Sequence, residues 1–295
     1  MPSLWITDNH NYERSCMITC ALSGVVANRD QCPGIPYTPE EYAAEAKRAY
    51  EAGAAVVHIH ARKPDGSPSY EVEDYRNIYN AVTAASSVII NFSTGAIGIP
   101  VERKIAPVQA IRPAIAALNM GSMNYAKYHP AKKTLVFDFV FANPFSEIIP
   151  LLKAMKESGV KPEMECFDSG HIGNSFPLID MDLLEPPHQF SLIMGVLGGM
   201  PPTADNLGHQ VRLLPPHSDW QVIGISMDQW RLVAAAIALG GNVRVGFEDN
   251  FYLSAGQMAK SNGELVEKAA RMVQDQGRAV ATIEECRDRL GLKHR

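Results

Sequence analysis

The sequence predicts an α/β fold in which eight parallel strands close into a single TIM (β/α)8 barrel. Three observations carry the prediction. Short apolar, β-rich runs occur eight times, helical patterns separate them, and 295 residues suit a barrel of about 250 residues with short extensions. Strands that are apolar on both faces belong to a parallel sheet covered by helices. An open doubly wound sheet is the alternative topology.

The strand runs begin with "MITCALSG" (17–24), "AAVVHIHA" (54–61), "SVIINFS" (87–93) and "IAALNMGS" (115–122). They continue with "KPEMECFDSG" (161–170), "QFSLIMGV" (189–196), "WQVIGIS" (220–226) and "NVRVGFED" (242–249). The first helix is the best marked. In "YTPEEYAAEAKRAYEAG", Thr38 caps it, Pro39 takes the first helical position, Glu41 completes a capping box and Gly53 stops it. Further helices are read over about 71–85, 101–110, 144–158, 205–213, 227–239 and 257–275. No linker, repeat or composition break appears, so the chain reads as one domain, 1–295, with its barrel over about 17–275. The first 15 residues and the segment after Gly277 read as extensions.

A formal net charge of -5 with no basic run excludes nucleic acid as a partner. The N-terminus lacks the basic and apolar segments of a secretory signal. No stretch approaches the roughly 20 apolar residues of a membrane helix. Five cysteines, odd in number and without a CxxC pair, read as reduced thiols of a cytoplasmic protein.

In a barrel of this type, chemistry gathers where strands end and loops begin. His58 and His60 alternate along one strand, so both side chains point to the same face and can converge on a divalent metal. The competing reading is two hydrogen-bonded strand histidines. "GFEDN" (246–250) ends the eighth strand, which neighbours the first in a closed barrel. Two carboxylates there need cations or donors as partners. Glu248 as a metal ligand and Asp249 as a base steadied by Arg244 would satisfy both; a solvated acidic loop is the alternative. "NFSTGAIG" (91–98) offers hydroxyls and backbone N–H groups for a carboxylate or phosphate, or an ordinary helix-capping turn. "GVLGGMPP" (195–202) permits close backbone approach, either to a bulky ligand such as a nucleotide-bearing thioester or within a tight turn. His171 stands out by position alone, following the fifth strand.

Taken together, "ITCALSG", "PYTPEE", "HIHARKPDGSPS", "NFSTG", "LNMGSMNY", "PEMECFDSG", "GVLGGM", "GGNVRVGFEDN" and "SNGELVEKAARM" resemble the β-keto acid cleavage enzymes, a family of zinc-dependent TIM barrels. The resemblance covers nearly the whole chain. It implies one Zn2+ per chain on His58, His60 and Glu248, Asp249 as acid–base and Arg244 as its support. Ser93 and Thr94 match the residues that hold the substrate carboxylate, Ala96 acts there through its backbone, and Asn119 and Glu165 line the same pocket. The implied reaction joins a β-keto acid with acetyl-CoA and yields acetoacetate plus a new acyl-CoA. Zinc polarises the ketone and stabilises the developing enolate. A homo-oligomer, a tetramer in the family, is implied by the same resemblance.

Two departures bear on the substrate. Val26 stands where the member acting on 3-keto-5-aminohexanoate has an acidic residue, and Ala117 replaces a hydroxyl residue. A buried ammonium beside Val26 would lack a partner, at a cost of several kcal/mol, so a neutral or apolar β-keto acid is expected. Two His and one carboxylate also describe a non-haem iron oxygenase or a metal-dependent aldolase or lyase. A barrel that only binds a metabolite as a sensor is a third reading, for which Asp249 has no evident task.

Overall fold

A computed structural model describes residues 9–293. Eight parallel strands close a barrel: β1 (Ile18–Ala21), β2 (Val56–Ile59), β3 (Ile89–Ser93), β4 (Ile115–Asn119), β7 (Lys161–Cys166), β8 (His188–Met194), β9 (Ser218–Gly224) and β10 (Asn242–Val245). Going round, the order is β1-β10-β9-β8-β7-β4-β3-β2, so chain order is spatial order and β10 closes on β1. All eight strands coincide with the runs expected from the sequence.

Seven helices also fall where expected: α1 (Pro39–Glu51), α2 (Val72–Ala85), α3 (Val101–Ile111), α4 (Phe145–Ser158), α7 (Ala204–Leu213), α8 (Gln229–Ala238) and α9 (Asn262–Asp275). Thr38 and Glu41 form the expected capping box of α1, and Pro39 occupies its first turn. The last of these helices is shorter than read. Residues 257 and 258 belong instead to a small antiparallel pair, β11 (Tyr252–Ser254) with β12 (Gln257–Met258), and Ser261 caps α9 by accepting from the Glu264 N–H. Two short helices, α5 (Ser169–Gly173) and α6 (Ser175–Asp180), fill the loop after β7.

Two further elements were not anticipated. The loop after β4 contains an antiparallel hairpin, β5 (Met123–His129) with β6 (Thr134–Phe141). It lies over the β7–β8 side of the barrel mouth, where Met123 and Phe141 pack with Phe167, Ile193, Val196 and Ile223. The segment after Gly277 is no loose extension. It forms α10 (Ile283–Leu290), whose Cys286 and Leu290 pack with Met17, Val56, Ile89 and Ile115 and plug the bottom of the barrel. Of the first 15 residues, 1–8 lie outside the described residues.

The strand faces divide the core in two. Outward residues such as Ile18, Val57, Ile59, Ile90, Phe92, Phe190 and Val243 pack against the helices in one apolar cluster. Inward residues are apolar at the bottom and, under the hairpin, again at the mouth, where Ile193 and Ile223 lie; between them come Asn91, Glu163, Gln189, Ser191, Gln221 and Arg244, all buried. Buried polar groups are stable when paired, and Glu163 pairs this layer by accepting from Asn91, Gln189, Ser191 and Gln221. Among the described residues, no helix is long and apolar enough to cross a membrane.

Candidate metal and active site

His58 lies near the end of β2 and His60 just beyond it, so strand alternation brings both rings to the barrel interior. The His60 carbonyl accepts from the Tyr42 hydroxyl of α1, at 2.5 Å, which anchors the backbone there. Because β10 pairs with β1 and β1 with β2, the turn after β10 delivers Glu248 to the same point. Glu248 Oε1 is 3.4 Å from His60 Nε2, and Oε2 is 3.7 Å from His58 Nε2. Room for this approach is made by Gly24, at φ +55°, where a Cβ would sit 2.7 Å from Glu248 Cγ. Asn262 fixes the turn from outside: its Oδ1 accepts from the Phe247 N–H, and its Nδ2 donates to the Leu22 carbonyl and to Glu45. Nothing in the sequence pattern distinguished Asn262 from an ordinary first-turn residue.

One ligand atom from each of His58, His60 and Glu248 lies within 4.8 Å of the other two. Both ring nitrogens of His58 and the Glu248 Oε2 are buried without a hydrogen-bond partner. Orphaned buried atoms of that kind are rare, and two of them, His58 Nε2 and Glu248 Oε2, face each other at 3.7 Å. Burial first, then the Arg244 charge, holds His58 well below the usual imidazole pKa, so the ring is neutral, as a ligand must be. Glu248 is held well below the usual carboxylate range; burial opposes this, but Arg244 and the two histidines outweigh it. These residues fit a two-histidine, one-carboxylate metal centre.

Arg244, on β10 and itself buried, organises the carboxylates. Its Nε and Nη2 donate to the two oxygens of Asp249 at 2.9 and 3.0 Å, its Nη2 also to Glu248 at 2.6 Å, and its Nη1 to Glu165 at 3.2 Å. Burial alone would depress its charge, but the three anions raise its pKa well above normal. Asp249 is pushed by burial, and further by Glu248, to about 7 against the pull of Arg244. Glu165 is raised by burial to about 8, again against Arg244.

The two hydroxyls of the 91–95 turn differ. Thr94 Oγ1 donates to the Ala117 carbonyl at 2.6 Å, which commits its one proton to the next strand. Ser93 Oγ accepts from the Gly95 N–H at 3.1 Å, the capping-turn geometry, and keeps its own proton. Ala96 and Asn119 are buried beside this turn; a Cβ on Gly95 would lie 3.2 Å from Asn119 Nδ2. The structure thus brings together Ser93, Thr94, Gly95 and Asn119 on one side and His58, His60, Arg244, Glu165, Glu248 and Asp249 on the other.

Three sequence readings change. Val26 is 72% exposed on the loop after β1, so it stands at the rim in water and the desolvation cost expected there does not arise. The close approach signalled by "GVLGG" is made to the chain itself: a Cβ on Gly198 would collide with the Asn124 carbonyl of the hairpin, and Ala126 N–H donates to the Leu197 carbonyl. His171 ties two loops together, accepting at Nδ1 from the Phe167 N–H while Nε2 faces the Ser122 carbonyl. Arg62 is a clamp; it donates to the carbonyls of Ser23, Gly24, Ala27 and Gly66 and joins the loops after β1 and β2.

A family model described as beta-keto acid cleavage enzyme matches residues 15–292. The chain is 39% identical, over 94% of its length and 98% of the relative's, to a 3-keto-5-aminohexanoate cleavage enzyme of Acetoanaerobium sticklandii. It is 31% identical, over 95% and 97%, to a 3,5-dioxohexanoate:acetyl-CoA acetone transferase of Paraburkholderia graminis. A solved structure, the binary complex of ObcA with oxaloacetate, superposes with a TM-score of 0.72 at 21% identity, over 89% of this chain and 68% of that one, and shows the same fold.

Proposed function

Because this chain belongs to the beta-keto acid cleavage enzyme family, we infer that it joins a β-keto acid with acetyl-CoA and yields acetoacetate and a new acyl-CoA. It is an enzyme that acts with acetyl-CoA. The observation that ties this activity to the barrel mouth is the meeting of unsatisfied metal-ligand atoms with an arginine-held carboxylate, Asp249.

His58, His60 and Glu248 would hold one divalent ion, zinc by the family resemblance, which when bound would supply a Lewis acid for the substrate's ketone. The free proton of the Ser93 hydroxyl and the backbone N–H of Ala96 hold the carboxylate end. Thr94 supports them through its bond to Ala117. Asn119 and Glu165 line the pocket. Asp249 takes up the proton whose loss creates the nucleophile that attacks the thioester. With its pKa lifted to about 7, it both accepts and releases a proton readily near neutrality. Arg244 keeps that carboxylate turned to the substrate by its two-point grip.

The substrate is a neutral or apolar β-keto acid. What supports this is the lack, among the described residues of the pocket, of a spare anion for an ammonium: buried Ala117 carries none, and Glu165, Glu248 and Asp249 are all engaged by Arg244. The test is a panel of β-keto acids with acetyl-CoA, 3-keto-5-aminohexanoate included, read by acetoacetate released. Neutral acids should show the higher kcat/KM. Release from no β-keto acid would overturn the activity; fastest turnover of the amine would overturn the substrate class.

A further inference from the structure

Beneath the metal-ligand layer, the barrel interior holds a carboxylate that the chemistry above does not use. Glu163 of β7 is fully buried, and its two oxygens accept four hydrogen bonds. Asn91 Nδ2 donates to Oε2 at 2.5 Å and Gln189 Nε2 to the same atom at 3.2 Å. Ser191 Oγ donates to Oε1 at 2.6 Å and Gln221 Nε2 at 3.3 Å. A carboxylate can only accept, so it dictates which end of each neighbouring amide faces it. For Asn91 this settles the orientation: the NH2 group turns to Glu163, and Oδ1 turns away.

What lies on the other side is His58. Asn91 on β3 and His58 on β2 are direct partners in the parallel register, so their side chains leave the sheet on the same face. Asn91 Oδ1 and His58 Nδ1 are both buried and both unpartnered. A histidine that ligates through Nε2 carries its proton on Nδ1 and needs an acceptor for it. His58 Nε2 is the nitrogen that faces Glu248.

Resting on the metal reading above, we propose that Glu163 and Asn91 are positioning residues that orient His58 and set its tautomer from beneath. Glu163 fixes the Asn91 amide, Asn91 Oδ1 accepts the His58 Nδ1–H, and the Nε2 lone pair is thereby presented to the ion. The fourfold acceptance by Glu163 explains why this part of the barrel is built from Asn, Gln and Ser rather than from the branched apolar residues that usually fill such interiors.

The test is Zn2+ affinity of the metal-stripped full-length protein, measured by competition with a chelating dye. Glu163→Gln removes the demand on the Asn91 amide, and Asn91→Leu removes the link while keeping the branched shape. Both should bind Zn2+ about 10- to 100-fold more weakly than the wild type. Ser191→Ala deletes a donor to Glu163 without touching Asn91 and should keep the wild-type affinity. Should Glu163→Gln fail to fold, Asn91→Leu, which leaves Glu163 three donors, carries the test. Wild-type affinity in Asn91→Leu, or an equal loss in Ser191→Ala, would overturn the relay. A wild-type protein that takes up no Zn2+ would instead overturn the metal site itself, and the relay with it.

Discussion

At the scale of the residue, the site turns on how one guanidinium is shared. Arg244 meets Glu165, Glu248 and Asp249, so two buried carboxylates and one partly buried one depend on a single guanidinium. Ions buried without enough counter-charge raise the pKa values of the carboxylates, as for Asp249 and Glu165. The division of labour is testable. Asp249→Asn preserves volume but cannot take up a proton, so kcat should fall by about 10²- to 10⁴-fold. Zn2+ uptake should be retained, because Asp249 is not among the clustered ligands. A variant within tenfold of wild-type kcat would mean that the base lies elsewhere. His58, His60 and Glu248 could be read in the sequence because strand alternation and barrel closure are sequence-level rules. Glu163 and Asn262 could not: each acts only through partners brought together by folding, Asn91 in one case and Phe247, Leu22 and Glu45 in the other.

At the scale of the element, the eight barrel strands and their seven principal helices were legible because buried parallel strands and amphipathic helices carry strong periodic signals. The hairpin was not, although "TLVFDFVF" is rich in the β-branched and aromatic residues of a strand and supplied a signal. An eight-strand template left no place for it. The helix α10 was missed for a different reason. It is short and strongly polar, with "IEECRDRL" offering only Ile283, Cys286 and Leu290 as an apolar stripe. Its "TIEE" start is nonetheless a full capping box, with Thr282 and Glu285 bonded reciprocally. That stripe closes the barrel floor against Met17, Val56, Ile89 and Ile115, while Arg289 ties the same helix to Asp219 of β9 at 2.7 Å. Leu290, 1% exposed, should therefore behave as a core residue. Leu290→Ala should lower the free energy of unfolding by about 2–4 kcal/mol, measured by urea titration. A loss below about 0.5 kcal/mol, the usual range for a surface site, would mean that α10 is not part of the folded core.

At the scale of the whole molecule, the polar site sits inside an apolar shell, and the five cysteines report on that shell's integrity. Cys16, Cys20, Cys32, Cys166 and Cys286 are free and buried. Burial raises each thiol: Cys16 to about 11, Cys286 to about 12, Cys20 and Cys166 well above the normal value, and Cys32 also upward. A thiol needs both access and ionisation to react, so none should be alkylated at neutral pH while the fold is intact. The cysteines are spread widely: Cys16 and Cys20 at and just before β1, Cys166 at the end of β7, Cys286 on the floor helix. If barrel, hairpin and floor form one cooperative unit, all five thiols should become reactive together across the urea transition, at the midpoint given by circular dichroism. Cys286 is the discriminating position. Its labelling at urea concentrations well below that midpoint, with the other four still protected, would show that α10 undocks on its own. Closure of the barrel floor would then be a separate local equilibrium, and the single-domain reading would hold for the barrel but not for its plug.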